Sequence, residues 1–476
     1  MAQDLRTFLV ELEARYPDDL LRIEREVSTE YEMSALIRKL DLSGMFNAVF
    51  FENVRGFDFP VVANLLADKR KYALALNLPE EGLSEAIADR LGRKIPPVVL
   101  DGEAAADAPV HEVVMTGDEV DLGKFPIVTH SALDDAPYIT MGVTVSVDPE
   151  TGHRDIGIFR HKLLGRDRLG VYYSWGKHLQ YAHQHCEEKG KGLPVAIVLG
   201  MHPAFHIGAV APLADAMGED EYAVVGGLMG EPLELVPCRT IPLEVPARAE
   251  IVIEGEILPG ERQTEGPFGE FHQYYGQIVD APILKVKAIT HRRDAIYQNV
   301  GIIVEHLFIQ TPLTEGFLLS ELKKVVPTVR AVALPNSGVR YVAYVCLEKV
   351  NEGDAKNVIL AALSMSPYLK FVVVVDPDID VNNESDVNWA VATRVVADRD
   401  IVMFPGARGN RLDPTTYTIT RLARDGMVTK MGIDATIPLG LPYEYPKRLT
   451  IPGVEEIRIE DYVSPSKVGA GQPGTA

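Results

Sequence analysis

Cysteine is scarce in this sequence, and the few cysteines lie far apart. The 476 residues include three cysteines, Cys186, Cys238 and Cys346, and none belongs to a CxxC pair. Structural disulfides and a thiolate zinc site are therefore not expected. The sequence also lacks a P-loop and lacks a GxGxxG motif after a predicted strand, which leaves little support for nucleoside triphosphate or dinucleotide binding.

Long apolar runs and an excess of positive charge are missing as well. The longest dense apolar run, Phe371–Val375, is far shorter than the roughly 20 residues that cross a bilayer. The N-terminal stretch MAQDLRTFLVELEARYPDD carries acids and favours an amphipathic helix over a secretion signal, so we expect a cytoplasmic protein. The net charge of −21 argues against nucleic acid and anionic membranes as partners, although a local arginine can still bind an anionic substrate.

The length predicts two or three domains, and the spacing of apolar residues predicts where they divide. Residues 1–110 alternate helix and strand patterns, which indicates an N-terminal α/β domain. Residues 111–312 change to a period of two, which is typical of a β-barrel or β-sandwich. Residues 313–476 return to an α/β pattern and end in a tail, from residue 464, that is rich in Gly, Ser, Pro and Ala.

Several local patterns give more specific predictions. Residues 101–109 are expected to form an acidic linker, Ser385 to cap a helix over residues 385–396, and residues 401–404 to form the last strand. The turn at residues 148–152 predicts a β-hairpin. The strands predicted in the middle region are 141–147, 155–160, 193–199, 249–257, 283–289 and 295–302, with one helix over residues 176–188.

The most informative stretch is QTEGPFGEFHQYYG, residues 263–276. Glu265 and Glu270 lie five residues apart, and the glycines and proline between them disfavour a regular helix or strand. Burial and a nearby like charge would split the pKa values of two such carboxyl groups, which suits proton transfer. We also expect Gly269, which has no Cβ, to let the backbone approach a flat ligand. The alternative is an exposed acidic loop with aromatic residues beneath it.

Three earlier segments carry polar residues that are unusual for a plain strand or core. They are Asp155-Ile-Gly-Ile-Phe-Arg160, Lys177-His178, and Glu221 before the glycine-rich VVGGLMG. Taken singly, Arg160 and His178 are better explained as surface residues, and Glu221 as part of a solvated turn. Strict alternation also places Asp155 and Arg160 on opposite faces of a strand. If both serve one site, we predict a β-bulge near Gly157 or a site that wraps around the end of the strand.

In their order and spacing, these four segments resemble the UbiD family of reversible decarboxylases, which use prenylated FMN. The resemblance covers most of the chain and includes LEVPARAEIVIEGEI, DPDIDVNNESDVNWAVATR, GNRLDPT and MGIDAT. It implies an α/β (α+β) fold with an N-terminal α/β domain, a central split β-barrel similar to flavin reductases, and a C-terminal α/β oligomerisation domain. It also implies a homodimer or homohexamer, and a flavin prenyltransferase that supplies the cofactor.

The resemblance also implies roles for three charged residues of an active site. Arg160 is expected to bind the substrate carboxylate through charge-assisted hydrogen bonds. Glu270 is expected to donate a proton to the carbon that CO2 leaves, and Glu265 to orient Arg160.

A metal site is implied at Asp155, His178 and Glu221, where Mn²⁺ or Mg²⁺ would hold the flavin phosphate. Two carboxylates and one imidazole suit either ion, and no thiolate is present to favour zinc. Family members often have Asn at the position of Asp155, so this chain departs from the pattern there. Other residues implied to contact the flavin, or a K⁺ ion beside it, are Gly157, Ile158, Phe159, Lys177, Ala211 and Leu213.

The resemblance leaves the substrate open among aromatic and heteroaromatic (α,β-unsaturated) acids. Thr311 and Glu315, near the start of a predicted helix, are expected to line the substrate pocket. The Glu315 carboxylate would suit a hydroxyl or ring N–H donor; the alternative is that it faces solvent or favours the helix N-terminus. Two other functions remain as alternatives: a flavin-dependent oxidoreductase on the same barrel, and a non-catalytic flavin-binding or assembly protein.

Overall fold

The structure is a computed structural model that describes residues 4–173, 177–211, 220–417, 426–441 and 444–462. The chain divides into two compact units, one of residues 1–320 with 410–421 and the other of residues 321–409 with 422–476. Within the described ranges, none of the helices combines the length and the apolar character that a membrane span requires.

The beginning of the first unit alternates helices and short strands, as the sequence predicts. Its elements are α1 (Leu5–Arg15), β1 (Leu20–Ile23), α2 (Glu32–Leu42), β2 (Ala48–Phe51), β3 (Val61–Ala63), α3 (Lys69–Leu76), α4 (Leu83–Leu91), β4 (Val98–Val99) and α5 (Gly102–Ala106). Helix α1 is amphipathic and is capped by Asp4, whose carboxylate accepts the backbone N–H of Thr7 at 2.8 Å. The residues that α1 buries are Leu5, Phe8, Leu9 and Leu12.

The linker predicted at residues 101–109 is mostly exposed and contains a short helix. Helix α5 occupies residues 102–106, because a run of alanines has the highest intrinsic helix propensity. Val110 and His111, which follow the predicted linker, are buried rather than solvent-exposed.

The middle of the chain is mostly strand, as its period of two predicts. Its strands are β5 (Val113–Thr116), β6 (Tyr138–Ile139), β7 (Val143–Val147), β8 (Arg154–Ile158), β9 (Arg160–Gly165), β10 (Arg168–Tyr172), β11 (Leu193–Leu199), β12 (Glu234–Pro237), β13 (Glu244–Pro246), β14 (Ile251–Glu265), β15 (Val279–His291) and β16 (Tyr297–Gln298). Its helices are α6 (His178–Glu187), α7 (Pro203–Gly208), α8 (Glu221–Met229) and α9 (Val304–Phe308). The predicted hairpin at residues 148–152 is confirmed, since β7 and β8 pair in antiparallel. The strand predicted over residues 295–302 shrinks to the two residues of β16.

Among the described residues, nine strands form one sheet that curls into a half-barrel. Their order is β6-β9-β10-β15-β14-β11-β7-β8, with β5 also paired to β15. Strands β8 and β9 lie near opposite ends of this order, yet the single residue Phe159 joins them. Both facts hold together only if the sheet curls until its two edges approach each other. Alternate residues of β11 and β14, such as Val195, Ile197, Ile251 and Ile253, pack into one core. Two smaller sheets, β1-β2-β3-β16 and β13-β12-β4, complete this part of the unit.

The strand predicted over residues 155–160 is interrupted after Ile158, so Asp155 and Arg160 lie in different strands. Strand β8 pairs with β7 from Arg154 to Ile158 without a register shift, so the bulge predicted near Gly157 is absent. Instead β8 ends, and Arg160 begins β9, which pairs with β6 and β10. The other predicted option, a site around the end of a strand, matches this arrangement.

The second unit contains a five-stranded sheet in the order β17-β18-β19-β21-β20. The C-terminal elements are α10 (Thr311–Val325), β17 (Val329–Ala333), β18 (Val342–Leu347), α11 (Asp354–Met365), β19 (Phe371–Val375), α12 (Glu384–Arg394), α13 (Ala397–Asp400), β20 (Ile401–Arg408) and β21 (Met427–Ala435). The apolar run of β19 is central and buried between the parallel strands β18 and β21.

Two local predictions in this unit are wrong. Strand β20 is not the last strand, because β21 follows it in sequence and inserts between β19 and β20. Ser385 does not cap α12. Asn383 does, since its side-chain oxygen accepts the backbone N–H groups of Ser385 and Asp386 at 3.0 and 3.2 Å.

Candidate active site

Arg160, Glu265 and Glu270 meet in a buried cluster within the first unit. Arg160 is the first residue of β9, Glu265 is the last residue of β14, and Glu270 lies in the loop that follows. Nε and one terminal nitrogen of Arg160 donate to the two oxygens of Glu265, each at 2.8 Å, and the other terminal nitrogen contacts Glu270. The three side chains are 8%, 1% and 5% exposed, so solvent screens these ion pairs little.

Two aromatic rings enclose the guanidinium. The Arg160 Cζ atom lies 3.9 Å from the centroid of the Tyr172 ring and 4.9 Å from that of Phe268. A cation at these distances from a ring face is attracted by the ring quadrupole, so both contacts favour the charged arginine. The alternative of an exposed acidic loop is wrong for Glu265 and Glu270, because both side chains are buried.

The surroundings of the cluster raise the pKa of Glu270 and also that of Arg160. Burial raises the pKa of Glu270, and the charge of Glu265 raises it further, while Arg160 opposes the shift without cancelling it. Burial alone would lower the pKa of Arg160, but the two glutamates outweigh it and the net pKa is raised. The arginine therefore stays charged, and Glu270 holds a proton to higher pH than an exposed glutamate.

Replacing Arg160 by methionine is expected to destabilise the protein, because two buried carboxylates then lose their cation. Removing one partner of a buried ion pair costs about 3–5 kcal/mol in free energy of unfolding. The loss is expected to shrink as the pH falls toward 5, because the pKa of Glu270 is raised and its carboxyl group takes up a proton more readily. Denaturant unfolding at pH 5 and pH 7.5 measures both effects. The control is Arg168→Met, since Arg168 forms an exposed pair with Glu261 and should change stability little. Equal losses in the two variants would contradict the burial argument.

Asp155, His178 and Glu221 also come together. Asp155 lies in β8, and the other two are the first residues of α6 and α8. His178 Nδ1 is 3.5 Å from an oxygen of Asp155 and 3.8 Å from one of Glu221. The second Glu221 oxygen accepts the backbone N–H of Ile156, which ties α8 to β8.

The donor set of this second cluster fits a divalent cation. Asp155 Oδ2 is buried and has no hydrogen-bond partner among the described residues. Burial raises the pKa of Glu221 to about 8, with Asp155 adding to the rise and His178 opposing it. Hydrogen bonds with Asp155 and Glu221 raise the pKa of His178 to about 10. Both shifts mark a site with more acceptors than donors, which is the environment that a hard cation requires.

His153 is a member of this cluster that the sequence analysis missed. Its Nε2 lies 3.2 Å from Nδ1 of His178, and ligand atoms of His153, His178 and Glu221 lie within 4.8 Å of one another. The available signal was its position, because His153 stands two residues before Asp155 and immediately before the first residue of β8.

The other residues implied to contact the flavin differ in how deeply they are buried, and one of them lies outside the described residues. Gly157 faces the ring of Phe159, which lies 2.7 Å from where a Cβ would stand, while Ile158 and Phe159 are half-buried. Lys177 is the N-cap residue of α6 and is exposed. Ala211 is buried at the end of a described range, and Leu213 lies outside the described residues.

Thr311 and Glu315, predicted to line the substrate pocket, lie on α10. The Thr311 hydroxyl donates to the Leu307 carbonyl at 3.0 Å, so it serves the helix locally. Glu315 is buried, so the alternative that it faces solvent is wrong, and it accepts a hydrogen bond from Ser84 of α4 at 3.1 Å. These contacts join α10 to other helices, and the pocket role of both residues stays a prediction.

Family models match the chain over most of its length. The N-terminal, Rift-related and C-terminal domains of 3-octaprenyl-4-hydroxybenzoate carboxy-lyase match residues 12–91, 103–304 and 307–435. The chain belongs to the UbiD family, and its family and relatives make it a carboxy-lyase.

Individual relatives agree with this assignment. An anhydromevalonate phosphate decarboxylase from Methanothermobacter thermautotrophicus is 37% identical over 429 residues, which cover 89% of this chain and 95% of that protein. The UbiD-class enzyme HmfF from Pelotomaculum thermopropionicum, solved in complex with FMN, is 40% identical with a TM-score of 0.88, over 97% of this chain and 100% of that one. An evolved dimeric form of HmfF in complex with prenylated FMN has a TM-score of 0.86 at 37% identity, over 97% of this chain and 100% of that one. The vanillic acid decarboxylase of Sedimentibacter hydroxybenzoicus is 30% identical with a TM-score of 0.82, over 96% and 97% of the two chains.

Proposed function

We propose that this protein catalyses the reversible, non-oxidative decarboxylation of an α,β-unsaturated, aromatic or heteroaromatic acid with prenylated FMN. The observation that carries the proposal is the buried Arg160, held by both oxygens of Glu265 while its remaining terminal nitrogen meets Glu270. A fixed cation beside a carboxyl group with a raised pKa suits a reaction that binds a carboxylate and then delivers a proton.

Arg160 binds the substrate carboxylate in this mechanism. Glu265 occupies Nε and one terminal nitrogen, which fixes the plane of the guanidinium. The substrate carboxylate would bind at the outer edge, where the other terminal nitrogen contacts Glu270 in this structure. The rings of Tyr172 and Phe268 keep the cation away from water. The carboxylate is thereby oriented before CO2 leaves.

Glu270 delivers the proton to the carbon that CO2 has left. Burial raises its pKa, so it is protonated over a wider pH range than an exposed acid. Because the protonated form is the active one, the decarboxylation rate falls as the pH rises through this pKa. Prenylated FMN, when bound, supplies the electron sink that amino-acid side chains lack.

Asp155, His178 and Glu221 would hold a Mn²⁺ or Mg²⁺ ion against the flavin phosphate, with His153 beside them. The segment from Asp155 to Arg160 links this cluster to the arginine cluster. Five residues of extended chain span at most about 17 Å, so the phosphate and reacting ends of one flavin can be served from one segment. Carbonyls near Ala211, with Glu221, would hold a K⁺ ion.

A second substrate class is favoured by one relative. The enzyme from Methanothermobacter thermautotrophicus is named for anhydromevalonate phosphate, a phosphorylated acid that is not aromatic, and the similarity spans 95% of that protein. The vanillic acid decarboxylase, by contrast, is named for an aromatic acid. A substrate test therefore has to include both classes.

The experiment is co-expression with a flavin prenyltransferase, followed by a CO2-release screen over phenolic, heteroaromatic, cinnamate-like and phosphorylated unsaturated acids. We expect release from at least one acid, and only in protein that received the prenylated cofactor. NAD(P)H oxidation without any CO2 release would instead favour a flavin oxidoreductase. The same preparation in analytical ultracentrifugation is expected to be a dimer or hexamer.

A further inference from the structure

We propose that two adjacent acids, Asp134 and Asp135, are positioning residues that fix the backbone beside the two glutamates. Asp134 sets the position of Glu270, and Asp135 sets that of Glu265. Neither acid contacts Arg160 through a hydrogen bond that the structure describes. The inference rests on the proposed roles of Glu265 and Glu270, and it adds the residues that hold them in place.

Asp134 joins a turn to the residue before Glu270. Its Oδ1 accepts the backbone N–H of Gly269 at 3.0 Å. Its Oδ2 accepts the N–H groups of His130 and Ser131 at 3.1 and 2.8 Å. The residue is 8% exposed, so these charge-assisted bonds lie in a region of low dielectric and hold the loop strongly.

Gly269 fits against this turn because it has no side chain. A Cβ at Gly269 would stand 2.5 Å from the Ser131 hydroxyl oxygen and 3.1 Å from its Cβ. The sequence-based expectation that Gly269 lets a flat ligand approach is therefore corrected, since the neighbour at that position is Ser131.

Hydrogen bonds within the loop hold Glu270 in a fixed position relative to Gly269. The N–H of Glu270 donates to the Tyr274 carbonyl at 3.0 Å, and the N–H of Gly276 donates to the Phe268 carbonyl at 2.9 Å. The Tyr275 hydroxyl accepts the N–H of Leu133 at 3.2 Å. Residues 268–276 thus form a tight reversal docked on the turn, and a shift of the turn moves Glu270.

Asp135 acts on the backbone on either side of Glu265 through two side chains. It pairs with Lys162, whose Nζ also donates to the Thr264 carbonyl at 2.9 Å. It also accepts the Tyr138 hydroxyl at 3.1 Å, and that hydroxyl accepts the N–H of Gly266 at 3.3 Å. Thr264 and Gly266 are the residues on either side of Glu265. The side chain of Asp135 is 34% exposed, so a smaller effect is expected from it than from Asp134.

Asp134 and Asp135 differ in their effect on the pKa of Glu270. Among the described residues, the charged or titratable groups with the largest electrostatic influence on Glu270 are Arg160, Glu265 and Asp134, and Tyr417 also interacts with it. The negative charge of Asp134 helps to raise the pKa of Glu270, after burial and Glu265. Asp135 is not among these groups and is neutralised by Lys162. Removing each charge therefore has a distinguishable result.

Asp134→Asn is the first test, in holoenzyme from the co-expression described above. An amide keeps one acceptor oxygen, so it cannot serve Gly269, His130 and Ser131 together. We expect kcat to fall roughly 10- to 100-fold, as for a misplaced catalytic group. We also expect the alkaline limb of the kcat profile to move to lower pH, because the loss of a negative charge lowers the pKa of Glu270.

Asp135→Asn is the second test, and Asp280→Asn is the matched control. Asp135→Asn loosens the residues beside Glu265 and hence the orientation of Arg160, so KM is expected to rise severalfold while the alkaline limb stays in place. Asp280 is an exposed acid of β15, opposite Thr264 in the sheet, and its replacement is expected to leave kcat, KM and the pH profile unchanged.

Hydrogen–deuterium exchange of the peptides covering residues 265–276 provides a readout that does not depend on turnover. Faster exchange in Asp134→Asn than in wild type and Asp280→Asn supports the inference. Wild-type exchange and an unmoved alkaline limb in Asp134→Asn would overturn it, even if kcat fell through general damage. If the wild type released no CO2 from any acid, the proposed function would fail separately, and exchange alone would decide whether the two acids hold the loop.

Discussion

Replacing Glu270 by glutamine is expected to abolish CO2 release by the holoenzyme while flavin and metal stay bound. Glutamine matches glutamate in size and can still accept a hydrogen bond from Arg160, so the buried cluster keeps its packing. It cannot donate a carboxylic proton to carbon. Losing a general acid typically costs 10²- to 10⁴-fold in rate, which brings CO2 release near the limit of detection.

The measurement combines kcat for CO2 release with the flavin absorbance and metal content of the same preparation. Glu261→Gln is the control, because Glu261 is an exposed acid of β14 and pairs only with exposed Arg168 in the described contacts. Undiminished CO2 release by Glu270→Gln would remove Glu270 from the mechanism. Loss of flavin in that variant would show that it damages the site more widely than the proton-donor role requires.

Replacing Glu221 by alanine is expected to release both metal and flavin. Glu221 brings the most buried carboxylate to the second cluster and ties α8 to β8 through the N–H of Ile156. Without it, Asp155, His178 and His153 offer one carboxylate and two imidazoles, which is a weak set for a hard divalent ion. Since the metal is proposed to hold the flavin phosphate, the two are expected to be lost together.

Metal analysis and flavin absorbance after gel filtration check this result. Glu32→Ala is a matched control: Glu32 is also the first residue of a helix, α2, and also accepts a backbone N–H, that of Ser28 at 2.9 Å. Helix-end effects should therefore be similar in the two variants, and only Glu221→Ala should lose metal. Retention of metal and flavin by Glu221→Ala would break the ligand assignment.

Local pattern in the sequence is enough for much of the fold. The apolar spacing of α1, the period of two in β7, and the dense run of β19 each predict the element that the structure contains. The predictions fail where two side chains compete to cap the same helix, or where a strand pairs with one that is distant in sequence. Asn383 captures the N–H groups that Ser385 was expected to cap, and β21 inserts next to β19 from more than fifty residues away.

Some residues of the candidate site could also be predicted from the sequence, and others could not. Arg160, Glu265 and Glu270 are recognisable through the family resemblance, but the residues alone left Arg160 open as a surface arginine. The curl of the sheet and the break at Phe159 bring them together, and no short-range pattern encodes that curl. Asp134 and Asp135 went unnoticed because two acids in a loop are usually solvated. The link that matters is also distant in sequence, since Gly269, which donates to Asp134, lies more than a hundred residues away, and Asp135 reaches Thr264 only through Lys162.

A crystal structure of the enzyme co-expressed with a flavin prenyltransferase tests the central proposal most directly. It is expected to show the flavin phosphate bound through a divalent ion to Asp155, His178 and Glu221, and the ring system beside Arg160 and Glu270. A flavin bound elsewhere, or one whose ring system lies away from Arg160, would contradict the proposed mechanism.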